Sequence, residues 1–255
     1  MSEALEIAKR LRAMTPARVG LGRSGVSQVT RDVLSFQLSH AQARDAVHAR
    51  LDVAALAEAI GGFASDTILR LHSAAGDRTT YLQRPDLGRR LDKSSLAALA
   101  PRIDGEMDLA VVIADGLSAL AVERHVVPLL ERLLPRLAGR SLGPLCIVEQ
   151  GRVAIGDEIG EMLRARLSVV LIGERPGLSS PDSLGAYITW APKVGRTDAE
   201  RICISNIREV GIRDGGLGYD EAAAQLERAV SEAFQRRLTG VAPQPGARML
   251  TDERR

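Results

Sequence analysis

After Asp104 the chain alternates short, unbroken apolar runs with amphipathic segments of helix length, and few folds accept that alternation. Residues 109–114 ("LAVVIA"), 145–148 and 169–172 are apolar at every position, as strands are when helices cover both faces of their sheet. Between them, a helical pattern opens at Asp115-Gly116-Leu117-Ser118 and runs to about Leu137, and a second covers residues 155–166. Strands separated by such segments pair in parallel through right-handed crossovers. The pattern therefore predicts an α/β fold, a Rossmann-like, doubly wound parallel sheet. Residues 184–190 ("LGAYITW") close the strand series, and residues 220–238 form a last helix with Leu226, Val230 and Phe234 on one face.

The first hundred residues read as mostly helix. Leu5, Ala8, Leu11 and Met14 share one helical face, which Thr15-Pro16 breaks. A Gly-rich loop at 20–25 leads into a helix from about Thr30, with Val33, Leu34, Leu38 and Ala41 on one side. Residues 51–60 repeat the pattern up to Gly61-Gly62. A short strand is expected at 67–72 and an Arg- and Asp-rich turn at 82–91. The organisation predicted is a mostly helical N-terminal domain, residues 1–100, followed by a Rossmann-like domain, residues 101–255.

Charge and composition exclude several classes. A formal net charge of +2 gives no electrostatic footprint for nucleic acid. The start, "MSEALEIAKR", lacks the apolar core of a signal peptide, and no apolar run approaches the roughly 20 residues of a membrane span. Two cysteines, Cys146 and Cys203, point to a reducing compartment and cannot hold zinc by themselves. A soluble, intracellular protein is expected, with neither nucleic acid nor membrane as partner.

Some motifs invite chemistry. Gly20, Gly22 and Gly25 match G-x-G-x-x-G, but a helix break precedes them where a dinucleotide site needs a strand. They read as glycines that let the backbone turn or approach closely. His40, His48, His72 and His125 show no metal-ligand spacing and read as surface or capping residues. Ser118 reads as a helix cap, since "DGLSA" is not a nucleophile elbow. Thr197 and Glu200 have capping-box spacing ahead of a short helix. By residue type Cys203 reads as a buried, inert thiol, but it is flanked by Arg201, Ser205, Asn206 and Arg208, a polar setting that strengthens the case for a site. Glu174 follows the apolar strand 169–172 at the edge where α/β sheets bind ligands.

Seven blocks in order, "LGRSG" (21–25), "HAQARDAV" (40–47), "RPDLGRRL" (84–91), "DGLSA" (115–119), "GDEIGE" (156–161), "GERPGLSS" (173–180) and "CISNIR" (203–208), resemble the small, or light, subunit of ethanolamine ammonia-lyase. The resemblance covers about residues 11–238. It implies a subunit of an adenosylcobalamin-dependent radical enzyme converting ethanolamine to acetaldehyde and ammonia. In that family a large TIM-barrel subunit carries the chemistry, and the corrin lies between the two subunits. Matched block by block, the family's cofactor contacts fall on Val153, Glu174 and Cys203. No catalytic residue and no metal ligand is expected from this chain.

Families that replace the lower cobalt ligand by histidine carry D-x-H-x-x-G, and "DAVHAR" at Asp45 does not fit it. The resemblance therefore implies cofactor bound base-on, and a hetero-oligomer with the large subunit. Some members carry an N-terminal extension directing them to a bacterial microcompartment; the short segment before the first helix favours free cytoplasmic enzyme instead. The Arg-rich turn "RPDLGRR" is the candidate surface for the partner. Two competing readings are an NAD-dependent oxidoreductase resting on Gly20, Gly22 and Gly25, and a Rossmann-like interaction protein without a ligand.

Overall fold

The computed structural model describes residues 3–15, 17–63, 67–100, 105–209 and 215–241. The chain begins with helix α1 (Glu3–Met14), a hairpin of β1 (Arg23–Ser24) and β2 (Ser27–Gln28), and helices α2 (Thr30–His48) and α3 (Val53–Gly61). Strand β3 (Ile68–His72) follows, then α4 (Arg78–Gln83), α5 (Lys93–Leu99), β4 (Met107–Ala114) and α6 (Ala119–Leu133). The remainder is β5 (Leu145–Glu149), α7 (Ile155–Met162), β6 (Ala165–Gly173), β7 (Leu184–Trp190), β8 (Arg201–Ile207) and α8 (Tyr219–Arg236).

Six strands form one sheet in the order β3-β5-β4-β6-β7-β8. The first four are parallel to one another, and apolar runs bounded by helices account for them. The last two correct the expectation of an all-parallel doubly wound sheet: β7 runs antiparallel to β6 and β8 antiparallel to β7. The cause is the connection. Residues 174–183 join β6 to β7 without a helix, and a parallel return needs a crossover of a dozen or more residues. The sheet is mixed.

Side chains of β4 alternate between two cores. Leu109, Val111 and Ile113 pack with Leu56 and Ile60 of α3, Val122 and Val126 of α6, and Leu226 and Val230 of α8. Ala110, Val112 and Ala114 face Leu99 of α5 and Ile155 and Ile159 of α7 on the other side. Each fully buried aliphatic side chain contributes about 1.5–3 kcal/mol, so these cores fix the sheet. Strand β3 lies within the first hundred residues yet is an edge of this sheet, in register with β5 from Ile68↔Leu145 to His72↔Glu149.

Local signals decide where elements stop. The helix expected over 155–166 ends at Met162; Arg164 takes a φ of +51°, the chain turns there, and β6 starts at Ala165. Ser118 caps α6 by accepting from Ala121 N–H, as its position predicts. Asp77 and Asp92 cap α4 and α5, two short helices that periodicity alone does not reveal. The Thr197–Glu200 capping box is present, but it heads a three-residue 3-10 turn, and the β-branched Ile202, Ile204 and Ile207 suit the segment beyond it to strand β8. His125 is neither surface nor cap. It is buried on the inner side of α6 with Nδ1 2.9 Å from the Tyr219 hydroxyl, and desolvation holds its pKa below the usual value.

Among the described residues no helix is long and apolar enough to cross a membrane, and no group of three or more His, Cys, Asp or Glu is placed to hold a metal. The tail containing Pro243 and Pro245 lies outside the described residues.

Candidate functional site

The carboxyl ends of β4, β5 and β6 lie side by side, because the three strands are parallel neighbours. Just beyond them the chain makes three polar loops, at 115–118, 150–154 and 174–183. A groove of about 420 Å³ opens there, lined by Val153, Glu174, Arg152, Arg175, Tyr81 and Tyr187, with Leu117, Ile172 and Gly173 at its base. Of the three residues singled out from sequence, Val153 and Glu174 thus line one groove. Cys203 is a direct neighbour: it pairs with Tyr187 across β7 and β8, and Tyr187 is itself a wall.

The groove exists because the sheet is covered unevenly. On one face α8 packs over β7 and β8, with Leu226 and Val230 against Ile188 and Ile204 in a single core. On the other face α7 packs on β6, where Gly156 meets Val170, and reaches β8 through the Asp157–Arg201 ion pair. Tyr187 and Cys203, on that second face, are left half-buried and exposed respectively. An antiparallel pair tolerates one open face, which a parallel sheet seldom does.

Glu174 is held, not merely exposed. Its Oε2 accepts from the Ser183 hydroxyl at 2.6 Å and from Asn206 N–H at 3.1 Å, while its own N–H donates to Ser183 O at 2.9 Å. Oε1 receives no donor among the described residues. Asn206 reaches this point through a left-handed backbone, φ +60°, at the end of β8. The carboxylate is therefore oriented by one oxygen and offers the other.

The loops at the base leave no slack. A Cβ on Gly173 would lie 2.0 Å from Ser118 O and 2.6 Å from Asp115 O. Asp115, buried and 3.7 Å from the Arg78 guanidinium, accepts from Gly151 N–H at 3.1 Å and so ties the β4 loop to the β5 loop. Burial, only partly offset by these contacts, pushes its carboxyl up to about 6. Two guanidiniums contact the Tyr81 ring, Arg78 at 4.8 Å and Arg152 at 4.4 Å from its centroid. Its hydroxyl donates to Gly151 O at 3.3 Å, and burial pushes its pKa up to about 12.

Cys203 and the Tyr187 hydroxyl are in hydrogen-bonding contact. Partial desolvation, then the negative charges of Glu174 and Asp198, push the thiol's pKa up, against the pull of the tyrosine. The sulfur is accordingly held toward the thiol form, a small soft contact surface. Cys146 is fully buried in β5, and burial pushes it up to about 12.

Sequence reasoning missed Tyr187, Tyr81, Arg152 and the ion pair of Asp157 with Arg201. The signal for Tyr187 was available: it is the polar aromatic in "LGAYITW", and period-two pairing puts it opposite Cys203. The dinucleotide spacing at Gly20, Gly22 and Gly25 has no βα turn around it. Gly25, with φ +63°, makes the two-residue turn between β1 and β2, which accounts for the glycine there. The "RPDLGRR" turn is anchored on one side: Gly88 is buried against Tyr81 and Arg152, and Glu158 accepts from Arg90 at 2.7 Å and from Leu91 N–H at 2.6 Å.

Comparison with known proteins gives one consistent result. Residues 6–243 match the family model described as ethanolamine ammonia-lyase light chain (EutC). The ethanolamine ammonia-lyase small subunit of Pseudomonas aeruginosa (strain LESB58) is 58% identical over 236 residues, which is 91% of this chain and 84% of that one. The protein of the same name from Azotobacter vinelandii is 56% identical over 238 residues, 91% and 86% of the two chains. That from Xanthomonas campestris pv. campestris is 56% identical over 237 residues, 91% and 85%.

Proposed function

This chain belongs to the ethanolamine ammonia-lyase light-chain family, a subunit of an ammonia-lyase, and from that membership we propose that its groove beyond β4, β5 and β6 contacts the corrin of adenosylcobalamin. The observation that carries the proposal is the convergence of Val153, Glu174 and Cys203, far apart in sequence, on one open groove and its adjoining wall.

The residues present fit such a group. A corrin is a broad apolar plate edged with amides, so it needs apolar and soft surfaces together with acceptors for amide N–H. Val153 and the Cys203 thiol supply the former. Glu174 supplies the latter through Oε1, the oxygen that Ser183 and Asn206 leave free. When bound, adenosylcobalamin supplies a carbon radical by homolysis of its cobalt–carbon bond. This chain's task is to bind and orient the corrin edge and to keep water from that side.

The groove is open, and among the described residues no helix lies over the Tyr187–Cys203 face, which suits closure by a second polypeptide. The large subunit that a small subunit's name implies is the proposed cover, in a hetero-oligomer. The chain contributes no acid or base.

The test is reconstitution. The chain alone should release no ammonia from ethanolamine, and adding the large subunit with adenosylcobalamin should restore release. In the assembled enzyme Glu174→Gln should weaken cofactor binding about 10- to 150-fold, the range for one hydrogen bond to a charged group. Unchanged binding would remove Glu174 from the contact.

A further inference from the structure

Two cationic side chains, Arg152 and Arg175, line the groove and a third, Arg78, contacts its Tyr81 wall; none is used by the corrin contacts above. Arg152 lines it, half-buried, with Nη2 donating to Tyr81 O at 2.9 Å while Nε is buried without a partner. Arg78, 4.8 Å from the Tyr81 ring centroid, has a side chain only 10% exposed and a buried Nη2 that likewise finds no acceptor. Arg175 lines the mouth, exposed and in no ion pair among the described residues. Against these stand two carboxylates. Asp115 is committed to Arg78 and Gly151, and Glu174 has one oxygen occupied by Ser183 and Asn206. Arg78, Arg152 and Arg175 thus outnumber Asp115 and Glu174 by one charge.

Neutral amides do not call for such a surplus. Burying guanidinium N–H groups without acceptors is costly, and the arrangement persists where a ligand supplies the missing oxygen atoms. Guanidiniums suit phosphate, whose oxygens accept two parallel N–H bonds. A base-on cobamide carries one such anion, the phosphodiester of its nucleotide loop, and the corrin amides are uncharged. We propose that Arg152, assisted by Arg175, binds the phosphodiester of the cofactor's nucleotide loop, making this chain the part of the enzyme that distinguishes a complete cobamide from one lacking the nucleotide. The inference rests on the corrin reading of the groove.

The test measures equilibrium binding, by ultrafiltration and absorbance, of adenosylcobalamin and of adenosylcobinamide to the assembled two-subunit enzyme. Adenosylcobinamide lacks the nucleotide loop and its phosphodiester. Arg152→Met should weaken adenosylcobalamin about 10- to 100-fold and leave adenosylcobinamide unchanged. Arg175→Gln, at an exposed position, should act in the same direction and serves if Arg152→Met fails to assemble. Arg152→Lys should recover part of the loss. Equal weakening of both ligands, or of neither, overturns the proposal. Glu174→Gln in the same assay separates the two readings: it should weaken both ligands, and if it weakens neither while Arg152→Met still discriminates, the corrin contact fails and the phosphodiester contact stands.

Discussion

Arg201 grips Asp157 with two parallel hydrogen bonds, Nη1 to Oδ1 at 2.7 Å and Nη2 to Oδ2 at 2.6 Å, and both side chains are almost fully buried. The pair joins α7 to β8 across the open side of the sheet. Val153 lies just before α7 and Cys203 two residues after Arg201, so this one contact sets the spacing of two walls of the groove. Thr189 completes the arrangement, its hydroxyl accepting from Arg201 at 2.8 Å. Replacing Arg201 by Met leaves a buried carboxylate unpaired and should cost about 3–5 kcal/mol of stability, measured by denaturant unfolding. In assembled enzyme that still folds, cofactor affinity should fall as well.

Under the proposed corrin reading, Ser183 serves the cofactor by orienting Glu174. Ser183→Ala removes the 2.6 Å hydrogen bond that orients the carboxylate and should weaken adenosylcobalamin binding by about 1 kcal/mol. In the Glu174→Gln background the same change should have a clearly smaller effect, because the group it positions is already altered. Full additivity in that double-mutant cycle would show that Ser183 does not work through Glu174.

Asp115 gives the fold a pH dependence of known sign. Its carboxyl is raised to about 6 in the folded chain from an ordinary 3.8, chiefly by burial. Between those values the folded chain keeps a proton that the unfolded chain has lost, so this site's contribution to stability falls as pH rises from about 4 to about 6 and is level above. Two pKa units correspond to about 3 kcal/mol. Urea unfolding of wild type and Asp115→Asn at pH 4, 5, 6 and 7 should show the difference between them changing by about that amount, and in that direction.

Gly173→Ala places a methyl group 2.0 Å from Ser118 O, with Asp115 O at 2.6 Å behind it. Both obstacles are backbone and neither can swing aside. The loss should be at least about 3 kcal/mol, the upper end of overpacking effects, read as a drop in Tm or loss of soluble protein.

The two cysteines should separate cleanly under a thiol reagent. Cys203 is exposed and should react at pH 8, more slowly than a free cysteine because its pKa is raised. Cys146 should stay unmodified until the chain unfolds. Adding adenosylcobalamin to the assembled enzyme should slow labelling of Cys203, followed by mass spectrometry.

The sheet's parallel half was legible because apolar runs such as 109–114 and 169–172 have no other home than a sheet covered on both sides. The reversal at β7 was hidden: "LGAYITW" is as apolar as a parallel strand, and only the lack of a helix in 174–183 distinguishes it. Strand β8 was read partly as helix because the Thr197–Glu200 box is a true capping signal whose helix stops after one turn. Glu174 stood out as a charge at a strand end, whereas Arg152 did not, since its importance comes from the Tyr81 ring, 71 residues away in sequence, which no local pattern links to it.

The uncovered face of β7 and β8 has a consequence for how the enzyme is switched off. A chain that roofed its own sheet would carry its reaction chamber intact at any dilution. Here, under the proposed reading, protection of the radical is shared out between two polypeptides and lasts only as long as they stay together, so the lifetime of the active cofactor should track protein concentration.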